Sequence, residues 1–204
     1  EKNRKINVSG SEKIFIAANK FKIKIIYISS ISSFKNSYSI YGKIKKEIED
    51  IANKYNAIII RPGLIYSKQS QGGMFGSIVN LVKKIPILPL IDKGEQKLYM
   101  CKLEILCELI YKLSIQKKFN LDVIIAANKE PIMFKEIINI IKIKYNKKRL
   151  LFPFPSVILL CILKLIERCN IKIRVKSDSL TSILHPNNNL SFTNLDKLKI
   201  FFPP

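Results

Sequence analysis

The sequence is poor in several residue types that carry familiar chemistry. A single histidine, His185, occurs among 204 residues. It lies in a loop-like stretch with no nucleophile motif beside it, so a Ser-His-Asp triad is not indicated. The four cysteines show no Cys-x-x-Cys spacing, which leaves zinc and dithiol motifs unsupported; they stand at positions 101, 107, 161 and 169. The composition therefore predicts a chain without a metal site in a reduced, cytoplasmic setting.

Arginine is also scarce, although the chain is strongly basic. The formal net charge is +21, yet only five of the 36 basic residues are arginine, and the lysines are interspersed with isoleucines. Arginine is the side chain that makes forked contacts to phosphate and to guanine. The dispersed lysines therefore predict a solvated surface, and no nucleic-acid partner is expected.

Long hydrophobic runs are absent from the sequence. An apolar stretch without charged residues, residues 150–163, includes two prolines and is shorter than the roughly 20 residues that a membrane-spanning helix needs. Two interpretations of the apolar helix predicted at residues 157–165 stay open. It could adsorb to a membrane surface beside the many lysines, or it could be buried against the rest of the carboxyl-terminal part. Burial is the prediction, and membrane association is not expected.

Apolar residues make up 48% of the chain and follow an alternation of helix and strand. Helical spacing and β-branched runs predict a helix at residues 11–20, a strand at 23–28, a helix at 41–54 and a strand at 57–60. This alternation indicates an α/β fold with a parallel sheet. Further helices are predicted at residues 77–84, 103–113, 132–145 and 153–168, and a strand at 121–126. The last 35 residues show no regular pattern.

Three short segments place polar side chains at the ends of the predicted strands. Ser29 and Ser30 follow the first strand, Tyr41 and Lys45 open the next helix four residues apart, and Arg61-Pro62-Gly63 ends the second strand. The carboxyl ends of strands in an open α/β sheet border the crevice where ligands bind. A lysine ammonium beside a phenol favours the phenolate, which can take a proton from an alcohol. The pattern indicates hydride and proton transfer with a nicotinamide cofactor.

Five motifs in order make the chain similar to a known family. It resembles the extended short-chain dehydrogenase/reductases, and among them the NAD-dependent epimerase/dehydratase group that acts on nucleotide sugars. The matching segments are Asn7-Val8-Ser9-Gly10-Ser11, Tyr27-Ile28-Ser29-Ser30, Tyr41-Gly42-Lys43-Ile44-Lys45 with Glu49, Arg61-Pro62-Gly63-Leu64-Ile65-Tyr66, and Gly94-Glu95-Gln96-Lys97. A further segment, Ser177-Asp178-Ser179-Leu180, is similar to a bacterial surface-polysaccharide subgroup.

The resemblance implies a partial Rossmann-type fold with a doubly wound parallel sheet. Residues 1–66 would form the carboxyl-terminal part of the dinucleotide-binding domain. Residues 67–204 would contribute the remaining sheet elements and the substrate lobe. NAD or NADP would be the cofactor and a nucleotide sugar, most often a UDP-sugar, the substrate. Homodimers are common in the family.

The resemblance also implies catalytic roles. Tyr41 would be the acid/base, and Lys45 would lower its pKa. Ser30 would hydrogen-bond the reacting sugar oxygen, with Ser29 or Ser32 as the alternatives.

Binding roles follow from the same resemblance. Tyr41 and Lys45 would contact the cofactor, with Lys45 on the nicotinamide ribose. Pro62 and Gly63 would shape the backbone that meets the nicotinamide carboxamide. Lys97 is a candidate for the phosphates of the sugar nucleotide, and a solvated surface lysine is the alternative for it.

The sequence departs from the family pattern in two places. The glycine-rich turn that holds the cofactor's pyrophosphate at a helix N-terminus does not occur, and the chain begins with Glu1. We therefore expect a fragment of a longer enzyme or a degraded copy, with weak dinucleotide binding. Ile31-Ser32 stands where sugar 4,6-dehydratases carry an Asp-Glu pair, so dehydration is not expected. This leaves a 4-epimerase or a 4-keto reductase in surface-polysaccharide sugar synthesis, or an inactive relic or non-catalytic scaffold of the same fold.

Overall fold

The computed structural model describes residues 2–68, 72–116, 123–169, 171 and 175–203. Its helices, in chain order, are α1 (Lys2–Lys20), α2 (Ile40–Lys54), α3 (Gly73–Lys84), α4 (Leu103–Ile115), α5 (Phe134–Lys144), α6 (Ser156–Arg168), α7 (Ser177–Leu184) and α8 (Thr193–Lys197). Its strands are β1 (Ile26–Ile28), β2 (Ile58–Pro62), β3 (Leu64–Tyr66), β4 (Ile87–Ile91), β5 (Lys97–Leu98), β6 (Met100–Lys102), β7 (Val123–Ala126), β8 (Ile132–Met133) and β9 (Leu150–Phe154). A 3₁₀ turn covers Asp92–Gly94.

A parallel sheet in the order β1-β2-β7 forms the first lobe. Successive side chains of a strand point to opposite faces. Ile58 and Ile60 accordingly pack with α4 and α8 on one face, whereas Ile59 packs with α1 and α2 on the other. Because helices cover both faces, β2 is apolar without a polar alternation until its end. This arrangement confirms the predicted fold class, a partial doubly wound Rossmann-type sheet.

A second apolar cluster lies beside this sheet and forms the second lobe. It gathers α3, α5, α6 and α7 around the parallel pair β4–β9. β3 follows directly from β2 and pairs in parallel with β6. β5, which comes just before β6 in the sequence, pairs in antiparallel fashion with β8. The predicted domain boundary at residue 66 stays a prediction. β7, which comes later in the chain, pairs with β2 of the first segment.

Several elements of the second lobe differ from the sequence prediction. β4 and β9 were not predicted, because Pro89 and Pro153 lie inside them and proline argues against a central strand. Among the described residues they form a two-stranded pair. Each strand therefore has one unpaired edge, where the backbone N–H that proline lacks is not needed. The helix predicted from Pro153 begins at Ser156 because β9 comes first. The expectation that the last 35 residues are irregular is wrong, since α7 and α8 form there. Residues 121 and 122 of one predicted strand lie outside the described residues.

The prediction that residues 157–165 are buried is wrong for most of them. Leu163 is the buried residue of α6, while Val157 is 70% exposed and Leu165 is 62% exposed. One side of α6 packs on the second lobe and the other faces solvent. Within the described residues, no helix is both long and apolar enough to cross a membrane.

Candidate active site

A cleft of about 910 Å³ opens where the carboxyl ends of β1 and β2 meet the second lobe. Five of the seven predicted site residues line it, namely Ser30, Ser32, Tyr41, Gly63 and Lys97. Its volume falls in the range of small-molecule sites. The other two, Lys45 and Pro62, are not in the lining.

Tyr41 lies in the first turn of α2, and two separate contacts hold that turn. Ser39 is the N-cap, and its Oγ accepts from the Gly42 amide at 3.0 Å. The Asp178 carboxylate of α7 accepts from the amides of Ile40 at 2.7 Å and Tyr41 at 2.9 Å. The amides of a first helical turn have no partner inside the helix, and a negative charge there interacts favourably with the helix dipole. Asp178 therefore fixes the backbone that carries the phenol, a contact that the sequence reasoning missed.

Gly42 lets the loop after β1 approach α2. A Cβ at this position would lie 2.2 Å from the Ser32 carbonyl oxygen and 2.1 Å from Ser37 Oγ. Any side chain would push the loop outward, and Ser30 belongs to the same loop. Gly42 thus allows the serine and the phenol to share one cleft.

Ser30 stands just beyond β1, where the ladder to β2 continues. The amide of Ser29 donates to the carbonyl of Ile60 at 2.7 Å, and the amide of Ile31 donates to that of Pro62 at 3.1 Å. Ser30 lines the cleft, whereas Ser29 is buried and its hydroxyl has no hydrogen-bond partner among the described residues. Of the predicted alternatives, Ser32 is in the cleft and Ser29 is not.

The Tyr41 hydroxyl interacts with Ser30, and its environment is partly desolvated. Burial raises the pKa of Tyr41, and the hydrogen bond with the Ser30 side chain lowers it in part. The pKa of Tyr41 is therefore raised overall, whereas Lys45 was expected to lower it. Tyr41 is consequently a neutral phenol at neutral pH in this arrangement.

Lys45 is held against the end of β1. Its Nζ donates to the Ile28 carbonyl at 2.9 Å. The ammonium lies 4.9 Å from the centre of the Tyr27 ring and 5.8 Å from the centre of the Tyr41 ring. Burial lowers the pKa of Lys45, and the carboxylate of Glu49 one turn further along α2 opposes this shift. The lysine is therefore near the phenol, as its spacing predicts, but its ammonium is engaged by the backbone.

A buried ion pair joins α2 to β2 behind the cleft. Arg61 donates from Nε to Glu49 Oε1 at 2.8 Å and from Nη2 to Oε2 at 2.6 Å. The two side chains are 16% and 2% exposed. Both residues occur in the motifs quoted above, although no role was assigned to them. Arg61 is the single charge of an otherwise apolar strand, which was the available signal for it; Glu49, among the other charges of α2, gave none.

The remaining predicted binding residues occupy different positions. Gly63 lies where the chain turns from β2 into β3, and a Cβ there would be 2.1 Å from the Tyr99 carbonyl oxygen. Pro62 is buried at the end of β2. Lys97 is exposed on β5 at the cleft. Lys176 also lines the cleft, and sequence reasoning missed it.

A parallel sheet covered on both faces, with a ligand-sized cleft at its carboxyl end, defines the Rossmann class of α/β folds. Comparison with solved structures narrows this to the fold of NAD-dependent epimerases, dehydratases and reductases of nucleotide sugars. No known sequence family and no curated protein matches the chain.

Three solved structures illustrate the likeness. A dTDP-4-dehydrorhamnose reductase from Bacillus anthracis in complex with NADP has a TM-score of 0.64 at 17% identity, covering 90% of this chain and 74% of that one. A dTDP-glucose 4,6-dehydratase from the same organism, in complex with NAD, has a TM-score of 0.63 at 15% identity, covering 89% and 67%. A UDP-glucose 4-epimerase from Thermotoga maritima with UDP-glucose has a TM-score of 0.60 at 17% identity, covering 74% and 58%. The chain thus spans less than two thirds of the epimerase.

The residues present fit the reactive end of a nicotinamide cofactor. Two hydroxyls, those of Ser30 and Tyr41, meet in one cleft, and the Lys45 ammonium approaches the phenol ring on the same helix. These are the groups that a reacting alcohol or ketone beside a nicotinamide requires. The glycine-rich turn for the pyrophosphate is not found in the 204 residues.

Proposed function

We propose that the chain carries the proton-transfer site of an NAD(P)-dependent nucleotide-sugar 4-epimerase or 4-keto reductase. The observation that carries the proposal is the meeting of Ser30 and Tyr41 in one cleft. Lys45 lies on the same helix, with its ammonium 5.8 Å from the Tyr41 ring centre. The fold neighbours named above, which are enzymes of nucleotide sugars, support the substrate class.

The residues divide the chemistry among them. Tyr41 gives its proton to the C4 oxygen when a ketone is reduced and takes it back when the alcohol is oxidised. The Ser30 hydroxyl hydrogen-bonds the same oxygen and orients it. Lys45 stabilises the phenolate that forms when Tyr41 loses its proton. When bound, the nicotinamide ring supplies or accepts the hydride.

Both directions of proton transfer fit the site. Because the pKa of Tyr41 is raised, the phenol is protonated at neutral pH and can donate to the C4 oxygen of a ketone. Epimerisation starts with the opposite transfer, which needs a positive charge near the phenol, and an oxidised nicotinamide ring would supply that charge when bound. Substrate turnover with and without added reductant separates the two reactions.

Lys97 and Lys176 both line the cleft, and in this proposal they bind the substrate's diphosphate. Two ammonium groups complement the two negative charges of a diphosphate. The role in surface-polysaccharide sugar synthesis rests on the resemblance of Ser177-Asp178-Ser179-Leu180 alone.

Replacement of Tyr41 by phenylalanine tests the proposed reaction. Tyr41→Phe removes the transferable proton and keeps the ring, so kcat is expected to fall roughly 10²–10⁴-fold. Tyr111→Phe is the control, because Tyr111 is 67% exposed on α4 and does not line the cleft. The assay follows NAD(P)H consumption with a UDP-4-keto sugar, and separately the turnover of a UDP-N-acetylhexosamine without added reductant. An unchanged kcat in Tyr41→Phe would contradict the assignment.

The second candidate is a non-catalytic scaffold, favoured by the engagement of the Lys45 ammonium with the Ile28 carbonyl. Titration calorimetry with NAD and NADP, together with the turnover assay on the full-length protein, separates the scaffold from the enzyme. Micromolar cofactor binding with turnover supports the enzyme, whereas turnover of neither substrate by the full-length protein supports the scaffold.

A further inference from the structure

One side of α6 is apolar and uncovered. Val157, Ile158, Ile162 and Leu165 are 70%, 49%, 40% and 62% exposed. At 100° per residue, positions 157 to 165 on this side fall within a sector of about 140°. The opposite side of α6 packs into the second lobe through Leu159, Leu160 and Leu163. The apolar side of a helix is normally buried against other elements, and this second apolar side of α6 is not.

The strand pair that precedes α6 also carries exposed apolar side chains. Ile87 of β4 is 57% exposed, and Leu150 and Phe152 of β9 are 71% and 57% exposed. Ile87 is paired with Leu150 in the register, while the alternate residue Leu88 is buried. We name the apolar surface of these two elements the docking face; its residues are Ile87, Leu150, Phe152, Val157, Ile158, Ile162 and Leu165. Exposed apolar groups of this number mark interaction sites.

The sequence on both sides of α6 is strongly basic. Between residues 142 and 176 there are ten lysines and arginines and a single acidic residue, Glu167. The Glu167 carboxylate is occupied by the amide and hydroxyl of Ser177, each at 2.7 Å. Lys164 and Arg168 are exposed on α6 itself, at the border of the apolar sector. One further carboxylate, Asp92, accepts from the Ser156 amide at the start of α6.

We propose that the docking face binds the surface of an anionic lipid bilayer. Its apolar side chains would enter the interfacial layer, and the lysines and arginines at its border would contact anionic headgroups. Charge decides between this occupant and a second copy of the chain. Two copies at +21 each repel one another, whereas each lysine or arginine near an anionic leaflet contributes about 1 kcal/mol of attraction. The proposal is independent of the catalytic one and replaces the expectation that this helix is buried.

Vesicle co-sedimentation with the whole chain tests the proposal. Vesicles of equal parts phosphatidylcholine and phosphatidylglycerol are compared with vesicles of phosphatidylcholine alone. We expect the chain to sediment with the mixed vesicles and to stay in the supernatant with the neutral ones. Val157→Gln with Leu165→Gln should weaken the affinity for mixed vesicles roughly tenfold or more, because two exposed apolar groups no longer leave water. Ile14→Gln is the matched control, since Ile14 is 67% exposed on α1.

The contribution of the basic side chains to vesicle binding is tested separately. Lys164→Gln with Arg168→Gln should weaken binding about fivefold per charge, whereas Lys5→Gln with Lys13→Gln on α1 should have a smaller effect. Thermal unfolding followed by circular dichroism confirms that every variant is folded.

Three results would overturn the proposal. The chain could fail to bind the mixed vesicles. It could bind them and lose the same amount of affinity in the docking-face and the α1 variants, which would indicate nonspecific attraction by lysines. It could also form a dimer by light scattering that Val157→Gln with Leu165→Gln dissolves, in which case a second copy is the occupant.

Discussion

Asp178 is the residue that connects the end of the chain to the catalytic helix. It lies 137 positions after Tyr41, yet its two carboxylate oxygens accept from consecutive amides of the first turn of α2. It also lines the cleft. A carboxylate at this place accepts from amides that would otherwise need water, and its negative charge interacts favourably with the positive end of the helix dipole. The position of the phenol thus depends on a distant side chain.

Replacement of Asp178 tests this dependence. Asp178→Ala should lower the free energy of unfolding by about 1 kcal/mol, as the loss of a helix cap does. It should also reduce kcat, because the first turn of α2 is less ordered. Asp178→Asn keeps one acceptor oxygen, so its stability and its kcat should lie between those of the unchanged chain and those of Asp178→Ala. Urea denaturation measures the first effect and steady-state kinetics the second.

Asp50→Ala serves as the control for this series. Asp50 is on the same helix and pairs at the surface with Lys46, so its loss should cost at most about 0.5 kcal/mol. Equal losses in the Asp50 and Asp178 variants would contradict a positioning role for Asp178.

At the scale of the element, two features hold α2 in place. A buried ion pair joins it to the sheet, and Gly42, which has no side chain, lets the serine loop pack against it. Two Arg–Glu pairs leave this helix two residues apart. The pair of Glu49 with Arg61 is buried, whereas the pair of Glu47 with Arg4 is exposed. Burial makes the removal of one partner expensive, since the other charge is left in a medium of low polarity. The two pairs allow a comparison at nearly the same place in the fold.

Glu49→Gln should destabilise the chain by roughly 3–5 kcal/mol, because it leaves the Arg61 guanidinium buried and unpaired. Glu47→Gln should cost about 0.2–1 kcal/mol, which is the usual range for an exposed pair. Chemical denaturation of both variants measures the difference. Similar costs for the two substitutions would mean that the Glu49 pair is not buried in solution.

Glycine substitutions test the contact between α2 and the serine loop. Gly42→Ala places a Cβ 2.2 Å from the Ser32 carbonyl oxygen, so the loop must move, and both stability and kcat should fall. Gly10→Ala meets no atom within 4 Å in α1 and should stabilise the chain by about 0.5–1 kcal/mol, because alanine is the better helix former. Thermal melts measure both. A neutral effect of Gly42→Ala would show that the loop is not held against the helix.

At the scale of the whole molecule, burial shifts several proton-bearing groups in the same direction. Burial raises the pKa of Tyr27, Tyr41 and Tyr66, and it raises the pKa of the Cys101 thiol from 9.0 to about 12. Each of these groups keeps its proton longer in the folded than in the unfolded chain. The folded state is therefore stabilised fully below the unfolded pKa values, and this stabilisation is lost as pH rises above them.

The free energy of unfolding should consequently fall as pH rises from 8 towards about 10. Cys101 alone contributes a slope of at most about 1.4 kcal/mol per pH unit above its unfolded pKa. Cys101→Ala should lower stability at every pH but make this slope shallower. Cys169→Ala should leave the slope unchanged, because Cys169 is exposed. Urea denaturation across this pH range measures it, and equal slopes in all three proteins would refute the assignment to Cys101.

The sequence by itself determined the elements around the sheet and part of the cleft. Runs of β-branched residues and helical spacing are local, so β1, α2 and β2 could be placed within a few residues. The tyrosine, lysine and serine motifs sit at the ends of those elements, and parallel strands bring their carboxyl ends together. The meeting of Ser30 with Tyr41 was predictable for that reason.

The tertiary structure alone decided whatever depends on residues distant in the chain. No local pattern pairs Asp178 with α2, and none shows that a proline-containing segment such as β9 finds a partner strand. The direction of the Tyr41 pKa also depends on packing, because desolvation by distant groups outweighs the Ser30 hydrogen bond. Likewise, an apolar helix has the same sequence whether it is covered or exposed. Only the arrangement of the second lobe leaves one side of α6 in solvent.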